Sequence, residues 1–531
     1  MKLKISLLFF LSMILFSSKG EEGTVSIIPK PESVKIKTGN LILPRKFDVF
    51  VSDPSFITAV NTFSGEIKDL ALPNISSGKA LVKVILDGDY GEEGYRLSVN
   101  KDQIIIKALT GHGTFNALQT LRQLMLWGEK SEEGIKIPCC EIKDSPRFTW
   151  RGFMVDESRH FFGKEKIKQL LDIMALHKLN TFHWHLTDEP GWRVEIKKYP
   201  NLTLVGGKGN YHDPEAPAQF YTQNDIDEIV KYASARYITI IPEVDMPGHA
   251  GAANRAYPEF CGGGSQKLPN FTFNPGKEGT YGYLTGILRE ISQIFPSSYL
   301  HVGGDEVHFG NEQWSTNPDV QELMKNKNLK DLKEVEFYFN HRMADSVKSL
   351  HKTLVGWDEI ADTGLDPSNS VVMWWHSDKT SQLLKALRAN YKVVLCPVVP
   401  LYFDYVQNKS HAWGGKLSGI GCTIENVYNF PPDALPGLKQ YKNQVLGIQA
   451  NLWSEVIQNY DRFDFMTYPR LCALAESAWS AASVKNFGDF APRLKKMLTY
   501  FDQLKINYYN PFDPTKSPEP KGVRKAVKKS N

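Results

Sequence analysis

From residue 147 onward, short apolar runs alternate with segments of helical spacing. The runs are Thr149–Val155, Thr181–Leu186, Ile238–Val244, Tyr299–Val302, Thr353–Trp357, Ser370–Trp375, Lys392–Val399 and Leu446–Trp453. All are rich in β-branched and aromatic residues and read as buried strands. Between them, Lys164–His177 places Ile167, Leu170, Leu171 and Met174 on one helical face. Thr222-Gln-Asn-Asp is a capped helix start before Ile226, Ile229 and Val230. Eight strands separated by helices over about 350 residues predict a (β/α)8 TIM barrel with long loops. The pattern does not mark the helices after the fifth, sixth and seventh strands.

Upstream, residues 24–145 read as a smaller α+β domain. Val82–Leu86, Tyr95–Val99 and Gln103–Ala108 are its strands, and Thr110-Gly-His-Gly-Thr leads into a helix at Phe115–Leu126. This block holds no cluster of acids or histidines, so a supporting role is expected. Ser145-Pro146 and Thr149-Trp-Arg-Gly mark the boundary, with the barrel over 146–510 and a tail over 511–531 that turns Pro- and Lys-rich from Lys516.

Composition narrows the class. The 531 residues are 42% hydrophobic and 23% charged with a net charge of +4, which is ordinary for a globular protein and makes no case for nucleic acid. Aromatic residues reach 12%, with 11 Trp and 22 Tyr, and flat apolar faces with a polar handle suit sugar rings as well as cores. Residues 1–20 read as a secretory signal: Lys2 and Lys4, the apolar run Ile5–Phe16, then small residues. No later stretch is long and apolar enough to span a membrane. Sequons at Asn74, Asn201, Asn270 and Asn408 agree with passage through the secretory pathway. Cys139, Cys140, Cys261, Cys396, Cys422 and Cys472 would be free to pair there, although Cys396 lies in an apolar strand and reads as a buried thiol.

The chemistry gathers where the apolar runs end. In order, the endings are Asp156-Glu-Ser-Arg159-His160, His183-Trp-His185-Leu-Thr-Asp188, Glu243-Val-Asp245-Met-Pro-Gly-His249, Asp305-Glu306, Trp357-Asp358-Glu359, Trp374-Trp375, Tyr402-Phe-Asp404 and Trp453-Ser-Glu455. Strand C-termini of a barrel open onto one face, so these residues converge. Gly303 and Gly304 allow close approach to the backbone before the Asp305–Glu306 pair. His183 and His185 alternate and could hold a metal, but a third soft ligand at metal spacing does not follow, and structural histidines around a packed Trp are favoured. Arg159 suits vicinal hydroxyls or an ion pair. Trp357, Trp375 and Trp453, each near an acid, fit the walls of a sugar pocket; which of Trp374 and Trp375 faces inward is left open.

With these motifs laid out, the chain resembles the β-N-acetylhexosaminidases of glycoside hydrolase family 20, especially the lysosomal eukaryotic type. The resemblance runs from Ile28-Pro-Lys-Pro to about Tyr509 through Arg151-Gly, Ser158-Arg159-His160, His183-Trp-His185, Pro242-Glu-Val-Asp-Met-Pro-Gly-His249, His301-Val-Gly-Gly-Asp-Glu306 and Leu452-Trp-Ser-Glu455. It implies an exo-acting, retaining hydrolase of terminal β-linked GlcNAc or GalNAc, with the substrate's 2-acetamido group as nucleophile. It implies Glu306 as general acid/base and Asp305 and Tyr402 as holders of the acetamido group. Trp357, Trp375 and Trp453 become pocket walls, Arg159, Asp404 and Glu455 hydroxyl contacts, and Asp188 and His249 a relay behind the acid. No metal or organic cofactor is implied. Homodimerisation and a lysosomal or secreted destination follow from the resemblance alone. Three other readings stay open: a metal-dependent hydrolase using His183 and His185, an inactive sugar-binding protein, and a two-carboxylate glycosidase with Glu243 as nucleophile.

Overall fold

The structure is a computed structural model that describes residues 25–416 and 421–522. The expected signal at 1–20 and the last residues of the expected tail lie outside the described residues.

The first unit is an eight-stranded mixed sheet with the helices Ile57–Glu66 and Gly111–Leu126. The expected strands form at Val82–Leu86, Tyr95–Val99 and Ile104–Ala108. A long antiparallel pair, Ser33–Leu43 with Gly134–Asp144, was not legible in the apolar pattern. Lys35 and Lys37 interrupt one member and Lys136 and Lys143 the other, Pro138 lies within the second, and the register shifts between Ile36 and Asn40. The second helix begins at Gly111, before the expected Phe115, because the Thr110 hydroxyl accepts from the Gly113 N–H at 3.1 Å. Its residues 113–125 are all buried. It is enclosed between the sheet and the barrel, so no polar face survives to give a helical period.

The second unit is a closed, all-parallel barrel of eight strands: Trp150–Asp156, Thr181–His185, Thr239–Glu243, Tyr299–His301, Thr353–Trp357, Ser370–Trp374, Lys392–Leu395 and Val445–Leu452. All eight runs read from the sequence are barrel strands. The seventh stops at Leu395, and Val398–Leu401 make a short kinked turn that delivers Tyr402 against Asn451 of the eighth. The helix Gln223–Ser234 starts on the expected capping box of Thr222 and Asp225. Behind the fifth strand the chain makes a five-residue 3-10 turn, Asp358–Asp362, before the sixth. Residues 511–522, expected as part of a tail, fold back instead: the Glu519 carboxylate accepts from the Ala412 and Trp413 N–H groups at 2.6 and 3.0 Å. The six cysteines are free thiols, Cys396 fully buried among them. Among the described residues, no helix is long and apolar enough to cross a membrane.

Buried charge pairs join the two units. Arg151 is fully buried, pairs with Glu93 of the first unit, and donates to the Phe148 and Lys178 carbonyls at 2.8 Å each. Asp144 accepts from Lys178 Nζ at 2.9 Å, Tyr95 at 2.7 Å and the Trp479 indole at 2.8 Å. Lys178 and Asp144 are both shielded from water. Removing one member of such a pair strands the other charge. Asp144→Ala is therefore expected to destabilise the protein by about 3–5 kcal/mol. Urea unfolding checks this, and a change under about 1 kcal/mol would count the pair as a surface-type contact.

Candidate active site

The strand ends converge as the barrel requires. A cavity of about 450 Å3 at that mouth is lined by Arg159, His249, Asp305, Glu306, Trp357, Trp375, Tyr402, Asp404, Trp453 and Glu455, with Tyr405 and the Gly414–Gly415 backbone closing one side. Ten of the eleven residues singled out in the sequence lie on its wall. Asp188 does not: it is 1% exposed and sits behind the wall. A wider depression of about 920 Å3 on the first unit carries lysines and aspartates but no convergent acids over aromatic walls.

Each wall residue has a local cause. After the first strand, Asp156 accepts from the Ser158 and Arg159 N–H groups at 2.9 and 3.0 Å, which turns Arg159 inward. Its second oxygen accepts from the N–H and hydroxyl of Ser454 at 3.0 Å each, fixing the eighth strand's end beside the first. At the fourth strand's end, Gly303 has φ 66°, and a Cβ there would lie 1.7 Å from the Asp245 carboxylate, so no side chain fits. Glu306 itself has φ 55° and ψ 16°, a left-handed conformation that costs a non-glycine residue about 1–2 kcal/mol. His249 is left-handed too, at φ 52°. The sixth strand's end resolves the paired tryptophans. Trp374 packs outward into the core, and Trp375 lines the cavity.

The aromatic walls form one packed group. Trp357 and Trp453 have ring centroids 5.8 Å apart, Tyr402 and Trp453 6.2 Å, and Trp375 and Tyr402 6.4 Å with planes only 20° apart. Asp305 adjoins this group, and its Oδ1 is buried without a hydrogen-bond partner among the described residues; the same holds for Asp404 Oδ1. Unpaired buried carboxylate oxygens on a cavity wall favour a ligand that brings N–H or O–H donors.

Behind the wall the charges are paired in series. Asp188 faces Arg159 at 2.6 Å, His185 at 3.1 Å and His249 at 3.1 Å. His249 in turn lies 3.5 Å from Asp305 and 3.7 Å from Glu306. Burial opposes the charge on His249, yet Asp188, Asp305 and Asp245 outweigh it and raise its pKa well above the ordinary histidine value. Burial, then the Asp305 charge, raises the Glu306 carboxyl. Burial raises Asp305 as well, with His249 the largest opposing influence. The pair thus holds a proton more tightly than two exposed carboxyls would. His249 faces both carboxyls, at 3.5 and 3.7 Å, and opposes the rise in each.

His183 and His185 are structural partners of one buried carboxylate. Glu243 Oε2 lies 3.0 Å from His183 and 2.5 Å from His185, while Oε1 faces His301 at 3.0 Å and accepts from the Trp357 indole at 2.9 Å. Glu243 is fully buried and off the cavity wall, which removes it as a nucleophile. The sets His183–Glu243–His301, Asp188–Glu189–His249, Asp245–His249–Asp305 and Asp358–Glu359–His376 bring ligand atoms within 4.8 Å of one another. Within them, acids already face histidines. In the sequence Asp358 and Glu359 stand only as a strand ending without a role, and Tyr405 carries no signal; two acids directly after Trp357 were the available signal for the pair.

The comparisons agree with this construction. The domain model described as glycosyl hydrolase family 20, catalytic domain, matches residues 148–482, and that of domain 2 of the same family matches 24–145. Beta-hexosaminidase from Porphyromonas gingivalis is 39% identical over 435 residues, 79% of this chain, although the chain spans only 55% of that protein's length. Beta-hexosaminidase subunit alpha from Mus musculus is 33% identical over 411 residues, 75% of this chain and 72% of the mouse protein. Among solved structures, a GH20 exo β-N-acetylglucosaminidase from Vibrio harveyi, in complex with N-acetylglucosamine, superposes with a TM-score of 0.84 at 32% identity, covering 92% of this chain and 79% of the other. Two family models matched in chain order, over the same two units that the fold separates, leave one conclusion: the chain belongs to glycosyl hydrolase family 20.

Proposed function

We propose that the protein removes terminal, non-reducing β-linked N-acetylhexosamine from glycans, with retention of configuration and with the substrate's own acetamido oxygen as nucleophile. The observation that carries this reading is one adjacent carboxyl pair, Asp305–Glu306, beside a closed group of three tryptophans and a tyrosine. An ordinary retaining glycosidase needs a second carboxylate across the bond, about 5–5.5 Å from the acid. Adjacent carboxyls that share one proton suit a different division of labour. Asp305, ionised, accepts from the acetamido N–H and stabilises the cation that forms as its oxygen attacks the anomeric carbon. Tyr402 donates to that oxygen, and Trp357, Trp375 and Trp453 enclose the methyl group and ring. Glu306 protonates the departing oxygen and then takes a proton from the incoming water. Arg159, Asp404 and Glu455 face the ring hydroxyls. Asp188 and His249 hold the acid pair in place.

The V. harveyi relative's complex with N-acetylglucosamine supports the substrate class. The finer subtype, a lysosomal enzyme, rests on the sequence resemblance alone; the bacterial P. gingivalis protein shares more identity with the chain than the mouse relative does. Entry into the secretory pathway rests on the expected signal and the sequons. Asn74, Asn201 and Asn270 are exposed, whereas Asn408 is half-buried and donates to the Tyr509 hydroxyl at 2.6 Å, which suits it least for a glycan. A homodimer rests on the resemblance alone.

Four outcomes are expected. 2-Acetamido glycosides are cleaved and matching 2-hydroxy glucosides and galactosides are not; comparable kcat/KM on both series would overturn the assisted mechanism. Glu306→Gln loses about 10²–10⁴-fold on poor leaving groups and far less on activated aryl ones, whereas Asp305→Asn loses rate on both, because leaving-group quality does not replace help to the attacking amide. The raised Glu306 pKa keeps the acid protonated to a higher pH than an exposed glutamate would, so kcat/KM on a poor leaving group falls as pH rises through that value, and the alkaline limb vanishes in Glu306→Gln. Protein made in its native host gains gel mobility on deglycosylation; unchanged mobility would remove the glycoprotein part of the reading.

A further inference from the structure

The 3-10 turn Asp358–Asp362 follows the fifth strand directly, so its first two residues, both acids, stay level with the mouth of the barrel. Asp358 reaches to the neighbouring strand end. Its Oδ2 accepts from the Trp375 and His376 N–H groups at 3.0 and 3.1 Å, and its Oδ1 faces His376 Nδ1 at 2.8 Å. Glu359 reaches in two directions. Its Oε2 accepts from the Trp375 indole at 3.1 Å, and its Oε1 accepts from the backbone N–H of Glu306 at 3.4 Å, the long end of a hydrogen bond. Glu359 is off the cavity wall.

The Glu306 backbone needs such a hold. It is left-handed without being glycine, a conformation that persists only where the surroundings over-determine it. Its carbonyl accepts from the Phe309 N–H at 2.9 Å, and Glu359 takes its own N–H from the other side. We propose that Glu359 is a positioning residue for the reaction, tying the backbone of the proton donor to the indole of the acetamide wall so that the two keep one spacing. The inference rests on the assignment of Glu306 as that donor. Its physical basis is geometric. Acetamido attack and proton donation act on the same glycosidic carbon–oxygen bond, and a misplacement near 1 Å can cost about 10²-fold. Burial and the charges of Asp358 and Asp305 push the Glu359 carboxyl well above the usual range, which keeps a further negative charge away from Asp305.

The test compares Glu359→Ala and Glu359→Gln with Glu306→Gln, on N-acetyl glycosides with poor and activated leaving groups. Thermal melting checks that each variant is folded. Glu359→Ala is expected to lower kcat about 10–100-fold on poor leaving groups, with KM nearly unchanged and activated substrates little affected. Glu359→Gln keeps one oxygen as an acceptor and is expected to lose less. If Glu359→Ala does not fold, Glu359→Met, which fills the space without an acceptor, takes its place. Unchanged kcat on poor leaving groups, or equal losses on both substrate types while Glu306→Gln still discriminates between them, would overturn the positioning role alone. If Glu306→Gln itself fails to discriminate, the donor assignment falls and this inference with it.

Discussion

Asp188 is the point on which the buried charges of the site depend. It touches Arg159, His185 and His249, and it is itself cut off from water. An isolated carboxylate at that depth would take up a proton. With those cations around it, burial is overcome, chiefly by Arg159 and then His249, and the carboxyl is held well below the ordinary range. The anion in turn keeps His249 charged, and that cation stands beside Asp305 and Glu306. The charge balance at the Asp305–Glu306 pair is therefore set one layer behind the cavity, by a residue off its wall.

The same device supports the aromatic wall. Glu243 is surrounded by His183, His185 and His301 and also holds the Trp357 indole. Burial raises its pKa, and the three imidazoles more than reverse that. His185 is shared between Glu243 and Asp188, so the layer under the wall and the layer behind the acid are one network. At the base of the barrel, Asp144 and Glu93 of the first unit pair with Lys178 and Arg151. Among the described residues, the supporting unit brings no side chain to the cavity; it supplies the counter-charges that let basic residues be buried where the first and second strands begin.

Backbone shape does the remaining work. Gly303 clears the space that the Asp245 carboxylate fills, and the next residues carry the acid pair to the rim. Glu306 and His249 face each other from left-handed positions on adjacent strand ends. The short turn after the fifth strand keeps Asp358 and Glu359 near the rim, whereas a full helix starting there would have carried its later residues away along the barrel.

The barrel was legible in the sequence because parallel strands covered on both faces are continuous apolar runs, and eight such runs stand out against amphipathic helices. The site's inventory was legible for a related reason. Strand ends in a barrel share one face, so Arg159, His249, Asp305, Glu306, the three tryptophans, Tyr402, Asp404 and Glu455 could be grouped without coordinates. The paired strands Ser33–Leu43 and Gly134–Asp144 were not, since their lysines and a register shift blur the period of two. Nor could sequence choose between Trp374 and Trp375, because neighbours on a strand point to opposite faces and only the barrel says which face is inside. That Asp188 lies behind the wall, that Glu243 is an anchor, and that Glu359 bridges Glu306 and Trp375 were decided by the tertiary structure alone. Residue types and strand periods are local properties of the chain; which carboxylate is buried, and which cation stands beside it, depends on segments far apart in sequence, as with His249 on Asp188, 61 residues away.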